Sequence, residues 1–598
     1  GYVRCTANHA SSIIFFMTRF ILGQALSFAT VTSVYFRDMI RQLNLAFYEE
    51  YMPKSAHVFS HRYLDLVYNH VVSLVWGALG RGGDLWSLAA DGLKGSLGQS
   101  VVNFTISMQG KHVFKNCIYQ GTQSNTPEYH RDLYKVQLET DIDGQQLTGA
   151  QVQSKYCCII GDNVVYMRQA GDMIEQLFPL IFAIGCVSHL LDLYAEDLGK
   201  VEELKLVVDA CYSMVLMLKG LEDSLQQCRE RTGEWHMFRT YPDTRFAYAK
   251  VMIESILHNI TNMTLLFRSD KWDTLKGKKG ADIFEKSMRD DTFVGKCKSF
   301  NQLITPIAMA IAFVGSGHAK IGCVVPLLSA LGACVQRWAN DSLNPFSMET
   351  RQQCINAFVG RWNGTQYQTG GTRKVGIKKD VHVAAYYLHP AMVPVDGVGR
   401  MMVEAGDRAA VGRVFARFFA PDEDGQAKKI ALLQEFDRYT AGEGQWSEPL
   451  SDARLEADIL VKAMHRDSGV EPPECPLINK VHRLTMAPDP RLWHGQQRHA
   501  SPMWLYICNR ICSMDPASVG PERMNKHYKT VVTASRASMN HERSVKALYV
   551  YANLRFLMGI DDTDDKLMEL LDIAKNDISL EEALKNESRK ILTLPDPL

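Results

Sequence analysis

The stretch Leu85-Trp-Ser-Leu-Ala-Ala-Asp91-Gly92, read with Tyr156-Cys-Cys-Ile-Ile-Gly-Asp162-Asn163, decides the fold. Each is a short apolar run that closes on an aspartate. Such runs, bounded by turn residues, read as buried strands. Working outward, Gly80–Asp84 is a breaker ahead of the first run. Val101–Met108 and Val113–Tyr119 have the β-branched and aromatic content of strands, with the turn signal Gly110–Lys111 between them. Thr122–Thr148 is polar and turn-rich, with room for one short helix. Val164–Leu177 reads as helix, Leu180–Gly185 as strand and Cys186–Leu198 as helix. The order between 85 and 198 is β-β-β-α-β-α-β-α.

Three meandering strands followed by alternating helices and strands is the order of an RNase H-like fold, and equally of any other α/β domain with these elements. Residues 1–80 look helical, with Val34–Leu43, a polar turn at Met52–Ser55 and a periodic stretch from Tyr63 to Leu79. Helical periodicity dominates residues 199–480, with linkers at Gly364–Gly371 and Asp422–Gln426. It returns over Met503–Ile511, Pro521–Thr533 and His541–Met558. The expected class is α/β plus all-α: a mixed sheet interrupted by a large helical insertion, behind a helical N-terminal region. The units are 1–80, 81–198, 199–495, 496–558 and a charged tail, 559–598.

The chain has 598 residues, 46% hydrophobic and 22% charged, which excludes a mostly disordered or fibrous protein. Lys+Arg and Asp+Glu both number 66, so the basic excess of a general nucleic-acid binder is missing. Residues 561–598 hold 11 acids against 5 bases, leaving residues 1–560 at +6. A mildly basic body remains compatible with DNA. The 14 cysteines lack small-domain spacing and point to a reducing compartment rather than a disulfide framework. The apolar region Ile304–Val335 is broken by Ser316, His318 and Lys320 and reads as buried helices, not a membrane span.

In an RNase H-like sheet the first and fourth strands are neighbours, so Asp91 and Asp162 would emerge at one edge. Two close carboxylates repel and attract divalent metal. The alternative is ordinary: Asp91–Gly92 is a turn dipeptide, and Asp162 can cap the helix from Val164. Cys186-Val-Ser-His189 has C-x-x-H spacing but supplies only half of a zinc ligand set. His189 therefore reads as a histidine at the mouth of the sheet, facing phosphate or metal-bound water, or as a core histidine. No phosphate-binding glycine loop is present, and Asn103-Phe-Thr105 carries no weight as a glycosylation signal. Lys278, Lys279, Arg373, Lys374, Lys378 and Lys379 form small basic clusters, either solvated faces or DNA-backbone contacts.

Taken together, the blocks resemble the hAT superfamily of DNA transposases over about residues 15–558. Leu88-Ala-Ala-Asp91-Gly is like the first catalytic block, and Ile160-Gly-Asp162-Asn163 with Ala170-Gly171 is like the second. Phe182-Ala-Ile-Gly-Cys186-Val-Ser-His189-Leu-Leu-Asp-Leu193 with Asp197-Leu198 is like the block after it. Thr244-Arg245-Phe246 with Met252–Leu257 is similar to the start of the family's helical insertion domain. Arg361-Trp362 and His382-Val-Ala-Ala-Tyr-Tyr-Leu-His-Pro390 resemble its later part. Ser518-Val-Gly-Pro-Glu522-Arg523 through Arg536, and Ala547–Arg555, resemble the C-terminal dimerisation segment.

The resemblance implies an RNase H-like domain split by the insertion and completed by residues 496–558. It implies a catalytic triad Asp91, Asp162 and Glu522 holding Mg²⁺ (or Mn²⁺), with His189 orienting a phosphate. It further implies DNA contacts from Arg245, Phe246 and Arg523, a homodimer through the C-terminal region, no membrane association, and a nuclear location. The reaction the resemblance implies is cleavage and strand transfer at transposon ends. Four positions depart from the family pattern: Leu93 and Phe246 stand where Trp is common, and Met524-Asn525 replaces an aromatic-Ser pair. A BED-type zinc finger is not read in the chain and would lie upstream of Gly1. These departures open the alternative of a catalytically inactive, domesticated dimer that binds DNA or protein.

Overall fold

The computed structural model describes residues 7–79, 85–94, 98–108, 111–233, 236–240, 249–316, 319–363, 376–396, 400–468, 476–532 and 540–558. The chain is mostly helical with one mixed five-stranded sheet, so it is α/β plus all-α behind a helical N-terminal region. It divides into two compact units. The first comprises the chain up to Cys186 and resumes at Asn509; the second is Val187–Cys508. The acidic tail and the Gly364–Gly371 linker lie outside the described residues.

The sheet of the first unit contains β1 (Trp86–Lys94), β2 (Ser100–Met108), β3 (Lys111–Tyr119), β4 (Tyr156–Gly161) and β5 (Phe182–Gly185), in the spatial order β3-β2-β1-β4-β5. β1–β2 and β2–β3 are antiparallel, and β1–β4 and β4–β5 are parallel. Being central, β1 and β4 are covered on both faces, which is why they read as unbroken apolar runs. β1 does not close on Asp91 as expected. It runs on to Lys94, because antiparallel pairing with β2 continues to Lys94↔Ser100 after parallel pairing with β4 has stopped at Ala89↔Ile160. Beyond Ala90 burial gives way to alternation, as it must where one neighbour is gone.

The region after β3 forms two helices rather than one, Pro127–Glu139 and Gly149–Lys155. The second begins on a capping box in which the Thr148 hydroxyl and the Gln151 side chain bond each other's backbone N–H.

Residues that return after the second unit complete the first. The helix Val519–Val531 lies on β1, β2 and β3. It approaches closely because Gly520 has no side chain: a Cβ there would stand 2.4 Å from Thr105 Oγ1 and 3.1 Å from His112 Nδ1. Arg510 is fully buried, donating from Nε to Leu180 O (2.8 Å) and from Nη2 to Gln153 O (2.6 Å) and Tyr156 O (2.5 Å). It thereby satisfies carbonyls at the starts of β4 and β5. The helix His541–Leu557 packs on β3 and on the helix Leu64–Leu79. Asn553 exchanges hydrogen bonds with the backbone of Phe114 (both 2.9 Å), and Asp65 pairs with Arg543 (2.7 Å) and Lys546 (2.8 Å). Leu548, Val550 and Leu554 are buried in this packing.

The second unit is helical. Its core includes Tyr439, Trp446, Trp493 and Trp504. Trp504 Nε1 donates to His494 Nδ1 (3.3 Å), and His494 Nε2 donates to Leu388 O (2.8 Å). Burial holds the His494 imidazole down at about 4. Asp422–Gln426, expected as a linker, opens the helix Glu423–Ala441: Asp422 Oδ1 accepts from the Gly425 N–H (2.7 Å), an N-cap. The stretches Phe293–Val314 and Ile321–Asn340 are long and apolar enough to cross a membrane, and 61% of the 18-residue apolar window in each is buried inside the protein.

Three substitutions test this packing. Gly520→Ala must push the Val519–Val531 helix off β2 and should cost about 1–3 kcal/mol in urea unfolding. Gly92→Ala, with open space at its Cβ, should be neutral or stabilising by a few tenths. Arg510→Met leaves three carbonyls, one buried and two partly buried, without their donor and should cost roughly 3 kcal/mol by the same measurement.

Candidate functional site

The parallel β1–β4 register brings two acids together. Pairing ends at Ala89↔Ile160, so Asp91 and Asp162 each stand two residues past the last parallel pair of these neighbouring strands. Their carboxyl groups share a hydrogen bond. Removal from water pushes the Asp162 carboxyl up to about 6, with the Asp91 hydrogen bond acting in the opposite direction. Asp162 does not cap the following helix: the N-cap of Val165–Leu177 is Val164, without a side-chain bond. Asp91 does not sit in a turn; it pairs with Asn103 inside the β1–β2 ladder. Both ordinary readings of these aspartates are therefore unrealised.

Two further groups surround the pair. Tyr134, buried on the helix Pro127–Glu139, donates its hydroxyl to Ile160 O (3.3 Å). Burial, then the nearby charges of Asp162 and Asp91, raise its phenol far above the ordinary value, so it stays a donor. It fits because the adjoining residue is Gly161, where a Cβ would fall 2.5 Å from the Tyr134 hydroxyl. From the opposite side, Asn525 Nδ2 donates to Asp91 Oδ2 (2.6 Å), and Asn525 Oδ1 accepts from Asn103 Nδ2 (2.7 Å). One turn further along the helix Val519–Val531, the Tyr528 hydroxyl accepts from Gln99 Nε2 (2.8 Å).

Glu522 is half-buried in the first turn of that helix, three residues before Asn525. The structure thus joins Asp91 to Asp162 and sets the helix bearing Glu522, 360 residues after Asp162 in sequence, against β1, β2 and β3, the first of which carries Asp91. Among the described residues no group of three His, Cys, Asp or Glu side chains is close enough to hold a metal ion. The donor set of the pair nevertheless suits a divalent cation, since two carboxyl groups in contact need a proton or a cation between them.

His189 is half-buried on the helix Val187–Leu198 in the second unit. The Cys186 thiol accepts from the Ser518 N–H (3.3 Å), which occupies it within the first unit. Arg523 is half-buried beside Glu522. Lys278 and Lys279 are exposed ahead of the helix Ala281–Arg289. Lys378 is exposed with its ammonium over the Trp362 ring (5.9 Å), and Lys379 is the N-cap of the helix Asp380–Tyr387. Arg245, Phe246, Arg373 and Lys374 lie outside the described residues.

No protein-family model matches the chain, and no curated protein matches it significantly. The likeness to hAT transposases stands on the sequence blocks quoted above.

Tyr134, Asn103 and Asn525 escaped the sequence reading. Only Asn525 carried a local signal: it follows Glu522 by three residues, one helical turn, and so shares its face.

The raised Asp162 carboxyl has a consequence for stability. A group whose value is higher folded than unfolded binds more protons in the native state, so its contribution is full below the unfolded value and fades as pH rises through the folded one. In metal-free protein, Asp162→Asn and wild type should unfold alike below about pH 4. Above pH 6 the variant should be more stable by roughly 2–3 kcal/mol, read from urea midpoints across pH.

Proposed function

We propose that the chain is a DDE-type, hAT-like DNA transposase whose sheet is RNase H-like. The observation that carries this reading is the meeting of Asp91 and Asp162 just past the point where the parallel pairing of β1 with β4 stops, with a helix that returns from beyond the second unit carrying Glu522 packed on β1. The strand order β3-β2-β1-β4-β5, antiparallel in its first three strands and parallel in the rest, supports the fold assignment.

In this reading Asp91 and Asp162 hold Mg²⁺ (or Mn²⁺), with Glu522 as the third acid. When bound, the cation neutralises the pair and polarises the phosphodiester and its attacking water. The residues of the chain have separate tasks. Asn525 orients Asp91, and Tyr134 seals the pair from below with a neutral hydroxyl. Cleavage frees a 3′-hydroxyl at the transposon end, which attacks a second phosphodiester. His189 orients a phosphate. Lys278, Lys279, Arg373, Lys374, Lys378 and Lys379 contact the DNA backbone, Phe246 stacks on a base, and Arg245 and Arg523 complete the DNA contacts. Homodimerisation belongs to the same reading; since Leu548, Val550 and Leu554 are buried within the chain, the contact uses other residues of the C-terminal region. Chromosomal DNA as substrate implies the nucleus.

A second reading is a transposase-derived dimer that binds DNA or protein without cutting. It draws on one observation: Asp91 Oδ2 is already held by the Asn525 amide.

Nicking of a pre-cleaved transposon end, with and without metal, separates the two. The enzyme should nick only with Mg²⁺ or Mn²⁺, and Asp162→Asn should lower the rate by about 100-fold or more. Metal-independent nicking, or nicking that survives Asp162→Asn, rejects the active-site assignment. DNA binding with no nicking favours the second reading. With +6 on residues 1–560, few phosphates are neutralised, so log Kd against log salt should have a shallow slope.

A further inference from the structure

The acidic pair is flanked by a relay of two asparagines that its chemistry does not itself require. Asn103 is wholly buried on β2, directly across the ladder from Asp91. Its Nδ2 can only donate, and it donates to Asn525 Oδ1 (2.7 Å). Together with the acceptor-only Asp91 carboxylate on its other side, that contact seats the Asn525 amide in one of its two orientations. The Nδ2 of Asn525 is thereby turned to Asp91 Oδ2 (2.6 Å), where the flipped amide would set oxygen against oxygen.

We propose that Asn525 is the positioning residue of the acidic pair, aligned in turn by Asn103. A hydrogen bond from a fixed amide sets the rotation of the Asp91 carboxylate about its Cβ–Cγ bond, and so the direction in which its remaining lone pairs face Asp162. The same contact registers the Val519–Val531 helix on β1, so that Asp91 and Glu522, a turn away from Asn525, are located by one bond. Outer partners of this kind orient metal-ligating carboxylates. The proposal rests on the reading of the pair as a divalent-cation site.

A purely structural seam is the competing account, because the Gln99–Tyr528 bond ties the same helix to the same sheet one turn on. Tyr528→Phe removes that bond without touching the pair and serves as the comparison. The readout is Mn²⁺ binding to the full chain, from the electron paramagnetic resonance signal of free Mn²⁺, with circular dichroism to show that each variant is folded. Asn525→Leu should weaken Mn²⁺ binding about 10–100-fold, Asn103→Ala should weaken it less, and the double variant should be no worse than Asn525→Leu alone. Tyr528→Phe should bind Mn²⁺ as wild type does.

Wild-type affinity in Asn525→Leu, or equal losses in Asn525→Leu and Tyr528→Phe, overturns the positioning role and leaves the cation site standing. A wild-type chain that takes up no Mn²⁺ at millimolar concentration, or Mn²⁺ binding unchanged by Asp162→Asn, overturns the cation site itself and the positioning role with it.

Discussion

Two carboxyl groups at hydrogen-bond distance cannot both carry full charge unless something between or beside them compensates. The sheet of the first unit imposes that condition on Asp91 and Asp162 through a parallel register that ends two residues before each. The other features around the pair read as responses to it. A neutral phenol lies beneath, an amide N–H lies on Asp91 Oδ2, and the Asp162 carboxyl is driven up by loss of water. A protein without use for such a pair has a cheaper alternative, since isosteric amides at either position remove the repulsion.

The pair depends on a discontinuous chain. Four elements that shape it, β1, β2, β4 and the helix Pro127–Glu139, come before Cys186, and the helix with Glu522 and Asn525 comes after Asn509. The C-terminal return is locked by contacts that demand specific residues. Gly520 permits the helix to touch β2, Arg510 caps carbonyls at the starts of β4 and β5, and Asn553 bonds the β3 backbone. These anchors are spread along residues 510–553, so the returning segment is part of the sheet domain's own core rather than an appendage.

The alternation of strand and helix from β1 to β5 was readable because buried strands bounded by turn residues leave a plain mark in sequence. The same is true of the helices Val34–Leu43 and His541–Leu557. The errors have local causes. The helix Gly149–Lys155 was missed because its Thr148-x-x-Gln151 capping box sits in a polar stretch that also suits a loop. Asp422–Gln426 has linker composition, yet Asp422 and the acids after it are what a helix N-terminus favours. The extension of β1 past Asp91 was invisible, because it depends on β2 outlasting β4 as a partner.

By itself the sequence determined the class of the fold, the strands on which Asp91 and Asp162 stand, and the helix that carries Glu522. Each follows from local periodicity, from a run ending in an acid, or from a family-like block. Only the tertiary structure decided which groups touch. That Asp91 meets Asp162 depends on strand register, and register is a relation between segments 71 residues apart. That Asn103 aligns Asn525 depends on a helix arriving from 422 residues away. Asn103 looked in sequence like an ordinary strand residue, two positions before Thr105. Burial removed it from water, and a buried amide must find partners; the partner it found is the residue that holds the catalytic candidate in place.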